Sequence, residues 1–80
     1  MNWQDYIHSD PAILAGKPLI KNTRLSVDLL LGLFAEGWSE ERILENYPQL
    51  SRAALRALFA FAAECIREEA IYPVKQGAAR

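Results

Sequence analysis

The chain predicts a mainly α domain: three helices in helix-turn-helix-like order, of homeodomain or winged-helix outline, behind a short N-terminal β or extended arm. Three observations carry this. Ser26, Ser39 and Ser51 each stand where a helix N-cap belongs. Apolar residues after Ser26 and Ser51 recur at helical spacing over long enough runs to define faces. The first 25 residues do neither. They are short apolar pieces cut by proline and turn-forming residues.

The arm, residues 1–25, holds Tyr6-Ile7-His8, Leu19-Ile20 and Leu25 as its apolar pieces. Ser9-Asp10-Pro11, Ala15-Gly16-Lys17-Pro18 and Lys21-Asn22-Thr23-Arg24 separate them. Pro18 biases Lys17 away from helix. Asn22 accepts a positive φ at low cost. Extended chain, turns and a short β-ribbon are expected here.

The first helix starts at Ser26, with Asp28 in the first turn where the helix dipole favours an anion. Val27, Leu30, Leu31 and Phe34 share one face, Leu29 and Leu33 add another, and Gly37 supplies a left-handed stop. The second helix starts at Ser39 and ends at Pro48. Trp38 and Ile43 have hydrophobic-staple spacing, and Ile43, Leu44 and Tyr47 point inward. The third starts at Ser51 and runs to about Ala70, before Pro73. Leu55, Leu58, Phe59, Ala62 and Ile66 form one stripe; Ala54, Ala57, Phe61 and Cys65 form a second. Two shorter helices can hardly cover both, so burial against another chain is expected. The domain is taken as residues 1–74, with helices over 26–70 and a mobile tail at 75–80.

Eighty residues form one small domain. A chain this size buries only about 60–65% of its unfolded surface, so a stabiliser is expected. One cysteine rules out an internal disulfide, and with one histidine it excludes a thiol–imidazole metal cage. A partner remains, a second copy included. No apolar stretch approaches the roughly 20 residues that span a bilayer. The N-terminus lacks the basic and apolar regions of an export signal. No membrane association and a cytoplasmic location are expected.

Net charge is −1, which excludes a blanket binder of nucleic acid. The distribution is uneven. Between Pro11 and Val27 stand Lys17, Lys21 and Arg24 and no acid. Such an arm suits a phosphate backbone or an acidic partner. At the start of the third helix, Arg52 opposes the dipole and repels Arg56 at i, i+4. Two broken local rules at one place suggest a ligand, a phosphate or a guanine edge, if the helix enters a major groove. The bland alternative is two solvated arginines, paired with Glu45 on the second helix.

Chemistry is thinly represented. His8 and Asp10 are the one histidine–carboxylate neighbour, and an ordinary arm histidine beside a turn aspartate explains them. Gly16-Lys17-Pro18 lacks the Ser/Thr of a phosphate loop. Glu64, Glu68 and Glu69 read as a solvated face. Cys65, on the apolar side, reads as a small buried thiol. No enzyme activity, cofactor or metal is expected.

The motifs Ser9-Asp10-Pro11, Gly16-Lys17-Pro18-Leu19-Ile20-Lys21-Asn22-Thr23-Arg24-Leu25, Ile43-Leu44 and Tyr47-Pro48-Gln49-Leu50-Ser51 closely resemble the small prokaryotic family DUF433. The resemblance spans about residues 6–63. It implies a helical, helix-turn-helix-like fold with a small N-terminal strand element. It further implies an antitoxin role: binding and blocking a PIN-like nuclease, with promoter DNA bound by the complex. It carries over no catalytic residue. Asn22 stands where the family usually has glycine. Arg52-Ala53-Ala54 stands where acidic residues are common, so the DNA argument is particular to this chain.

The resemblance thus implies an antitoxin component. Arg52, Arg56, Lys21 and Arg24 are its candidate DNA contacts. Lys17, Lys21, Arg24, Phe61 and Tyr72, the last within Ile71-Tyr72-Pro73-Val74, are its candidate partner contacts, and the chain is expected to self-associate. A stand-alone DNA-binding regulator and a non-catalytic oligomeric scaffold are the alternatives.

Overall fold

The computed structural model describes residues 1–69. A 3₁₀ turn at Trp3–Asp5 leads into β1 (Ile7–Ser9), and a second turn at Leu14–Gly16 into β2 (Pro18–Ile20). Three helices follow: α1 (Val27–Ala35), α2 (Glu40–Asn46) and α3 (Arg52–Glu69). The mainly α architecture with an N-terminal β arm is the one expected from sequence. The ends placed at Ala70 and residue 74, the tail at 75–80 and Tyr72 lie outside the described residues.

The arm folds into a ribbon. β1 and β2 pair antiparallel, with Ile7 opposite Ile20, His8 opposite Leu19 and Ser9 opposite Pro18. The Lys21 N–H donates to the Tyr6 carbonyl at 2.9 Å and lengthens the ladder. A turn then reverses the chain. The Thr23 N–H donates to the Ile20 carbonyl at 3.1 Å, and Asn22 takes φ +66°. A positive φ at the third residue is what a type II turn needs, and asparagine tolerates it. The Thr23 hydroxyl donates to the Ile20 carbonyl at 2.8 Å and accepts the Leu25 N–H at 3.0 Å. The chain therefore returns along β2, bridging Leu19 to Ser26. A two-stranded ribbon is marginal alone in water. This one buries Ile7, Leu19 and Ile20.

Each serine caps as the sequence predicts. Ser26 Oγ accepts the Leu29 N–H, Ser39 Oγ the Arg42 N–H and Ser51 Oγ the Ala54 N–H, all at 3.0 Å. α1 ends in a Schellman motif. Gly37, at φ +97°, donates to the Phe34 carbonyl at 3.0 Å, and Trp38 donates to that of Leu33 at 3.1 Å. The core gathers Leu19, Leu30, Ile43, Leu55 and Leu58, all essentially inaccessible, with Val27, Ala54 and Ala57.

One expectation changes. The second stripe of α3 is covered by the chain itself from Ala54 to Phe61. The Trp3 and Phe61 rings meet edge-on at 4.7 Å between centroids, and Trp3 Nε1 donates to Glu64 Oε1 at 3.0 Å. Ala54 and Ala57 are buried beneath. Two helices do not suffice, but the N-terminal 3₁₀ turn completes the cover. Cys65 is exposed, not buried, because α3 outruns the core there.

The turn before β2 is left-handed. Leu14, Ala15 and Gly16 have φ of +49°, +57° and +83°. That region costs a non-glycine residue roughly 1–2 kcal/mol. Leu14 is 52% exposed there, so burial of its side chain does not offset the strain.

Candidate interaction surfaces

The candidate residues separate into three places. Arg52 and Arg56 lie at the start of α3. Lys17, Lys21 and Arg24 lie around the ribbon. Phe61 lies midway along α3, under Trp3.

Arg52 is occupied. Its Nη1 lies 2.7 Å from Glu40 Oε1 and 3.8 Å from Glu41 Oε2. The partners are these two glutamates at the start of α2, not Glu45. The two acids favour their own helix terminus and also neutralise a cation at the unfavourable end of α3. The anomaly that suggested a ligand thus has a local resolution. Arg56 is exposed and has no ion pair or hydrogen bond among the described residues. It stands one turn into α3, on the helix that follows α2 after a short connection.

Around the ribbon, Lys17 Nζ lies 3.2 Å from Asp28 Oδ2, and both side chains are exposed. Lys21 and Arg24 are exposed and unpaired among the described residues. Asp10 does not engage His8. Its Oδ1 accepts the Ala12 N–H at 2.9 Å, an Asx-type turn before the left-handed segment. His8 instead faces a groove of about 610 Å³, shared with Ile13, Asn22, Thr23 and Arg24.

The apolar surface left open is not the one singled out from sequence. Phe59 is 49% exposed and Ile66 52%, with Leu29 on α1 at 42%. Phe59 leans on Phe34 at 5.1 Å between ring centroids. Phe61, by contrast, is half-buried within its own chain. At the start of α2, Arg42 stacks over the Trp38 ring, 3.8 Å from its centroid. This cation–π contact closes the start of α2.

Trp3 and Ile13 are the residues whose roles sequence reasoning missed. Only tertiary contact brings Trp3 to α3, 61 positions away from Glu64. Among the described residues, no three His, Cys, Asp or Glu side chains gather as a metal site. No described helix is long and apolar enough to cross a membrane.

The architecture defines a small helix-turn-helix-like α domain with a β-ribbon arm and two exposed basic positions beside its turn. The family described as "Protein of unknown function (DUF433)" matches residues 7–62. The chain belongs to the DUF433 family. No curated protein and no solved structure matches it.

Proposed function

We propose that the protein is a non-catalytic antitoxin component that binds and inhibits a PIN-like nuclease. The observation that carries this reading is the ribbon's basic rim. Lys21 and Arg24 stand exposed without partners among the described residues, on a backbone held by five hydrogen bonds around residues 20–25. A rigid cationic edge complements an acidic surface, and PIN-like active sites are acidic. The exposed Phe59 and Ile66 supply a second face, on which the chain self-associates. Co-expression with a PIN-like gene product from the same genome tests the reading. A purified complex with suppressed nuclease activity is expected. Failure to co-purify overturns it.

DNA binding by α3 is the second reading, favoured by Arg56. An exposed, unpaired arginine one turn into the second helix of such a motif is placed for a groove contact. Arg52, held by Glu40 and Glu41, must give up that pair to take part. Arg56→Ala is expected to weaken operator binding by about 1–3 kcal/mol if it touches a base edge. Binding by filter retention should also fall with salt, with a log–log slope of about −0.9 per phosphate contacted. An unchanged Arg56→Ala affinity removes this reading.

A further inference from the structure

The groove beside the ribbon has a definite chemistry. Its walls are His8 on β1, Asn22, Thr23 and Arg24 on the reversing turn, and Ile13 on the segment before the left-handed turn. Among the described residues, none that lines it is acidic. Asp10 accepts the Ala12 N–H, and Asp28 pairs with Lys17. The Thr23 hydroxyl is also spent, on the Ile20 carbonyl and the Leu25 N–H. The side chains of Arg24, His8 and Asn22 have no hydrogen-bond partner among the described residues. A guanidinium, an imidazole and an amide therefore line the groove together with Ile13.

That combination selects its occupant. A guanidinium fork binds a carboxylate through two parallel hydrogen bonds. Ile13, half-buried, offers an apolar side chain somewhere to rest. A nucleic-acid strand asks for a row of cations along its phosphates, or aromatic faces for its bases. Among the described residues, the groove offers one guanidinium and no Phe, Tyr or Trp.

We propose that this groove binds an acidic segment of a partner protein, seating a carboxylate on Arg24 and the adjacent apolar side chain on Ile13. The assignment rests on the partner-binding reading above for its source of peptide. It goes further in naming the socket and the sequence character it takes.

The ¹⁵N-labelled chain is titrated with the peptide acetyl-Leu-Glu-Leu-amide, with its Gln counterpart, and with a short oligothymidylate. Amide shifts at His8, Ile13, Asn22, Thr23 and Arg24 are expected with the acidic peptide. Affinity for the Gln peptide should be about tenfold lower or less measurable still, the loss of a charge-assisted pair. Arg24→Gln should abolish the preference and leave the melting temperature unchanged, since Arg24 is exposed and unpaired. Absent shifts at these residues overturn the proposal. So do equal responses to Glu and Gln peptides, an unchanged Arg24→Gln variant, or stronger shifts with oligothymidylate. A nuclease complex untouched by Arg24→Gln also overturns the groove assignment while leaving the antitoxin reading intact. Peptide binding without any nuclease complex does the reverse.

Discussion

At the scale of single residues, backbone conformation and polar partnering decide most of what is distinctive. Ala15 sits at φ +57° between Leu14 and Gly16, both also left-handed. Glycine visits that region without the Cβ penalty. Ala15→Gly is expected to raise stability by about 1 kcal/mol, with a thermal melt rising by several degrees. Gly32 is the opposite case. It lies inside α1, exposed, and an added Cβ meets nothing within 4 Å. Gly32→Ala is expected to stabilise by about 0.8–1 kcal/mol by denaturant titration. A loss of stability there would mean that α1 packs against something at this point. Asn22 was legible in the sequence, because asparagine in a polar tetrapeptide before an apolar run is a turn signal. The strain at Leu14 and Ala15 was not, because nothing in either side chain asks for a positive φ.

At the scale of elements, caps and cross-element contacts set the boundaries. The three serine caps and the Gly37 stop were all readable, since each acts through backbone groups a few residues away. Ser39→Ala should cost about 1 kcal/mol, seen as a lower denaturant midpoint. The Arg52–Glu40 pair is only partly shielded, with side chains 52% and 32% exposed. Removing it should cost no more than about 1 kcal/mol. Its interest is positional, because it ties the start of α2 to the start of α3. The contact of Trp3 with α3 carries more. Trp3→Ala removes a ring pair and the hydrogen bond to Glu64. About 2 kcal/mol of lost stability is expected.

At the scale of the whole molecule, the question is which surface remains for others. With Phe61 covered by Trp3, α3 still overruns the core, and Ile66 and Phe59 lie open. Ile66→Glu is expected to leave the fold's melting temperature close to the parent value while lowering the mass measured by light scattering. Phe61→Glu should instead unfold the chain partly, by inserting a charge against Trp3. If Ile66→Glu leaves the mass unchanged, self-association does not use this face. The near-neutral net charge conceals a division of labour. Acids at the start of α2 hold Arg52, Asp28 holds Lys17, and Arg24, Lys21 and Arg56 are left outward among the described residues.

By itself the sequence determined the three helices, their caps, the ribbon's turn and the basic character of the arm. All of these follow from interactions within a few residues: a hydroxyl reaching the third N–H onward, a left-handed stop, apolar spacing on one face. The tertiary structure decided which residues of each α3 stripe are spent inside the chain and which stay open. It also decided which cations are partnered and that Asp10 bonds the Ala12 N–H rather than His8. These choices depend on groups brought together from distant positions, such as Trp3 with Phe61 or Glu40 with Arg52. Residue spacing alone carries no record of those meetings, because the free energy that selects them is shared across the packed whole.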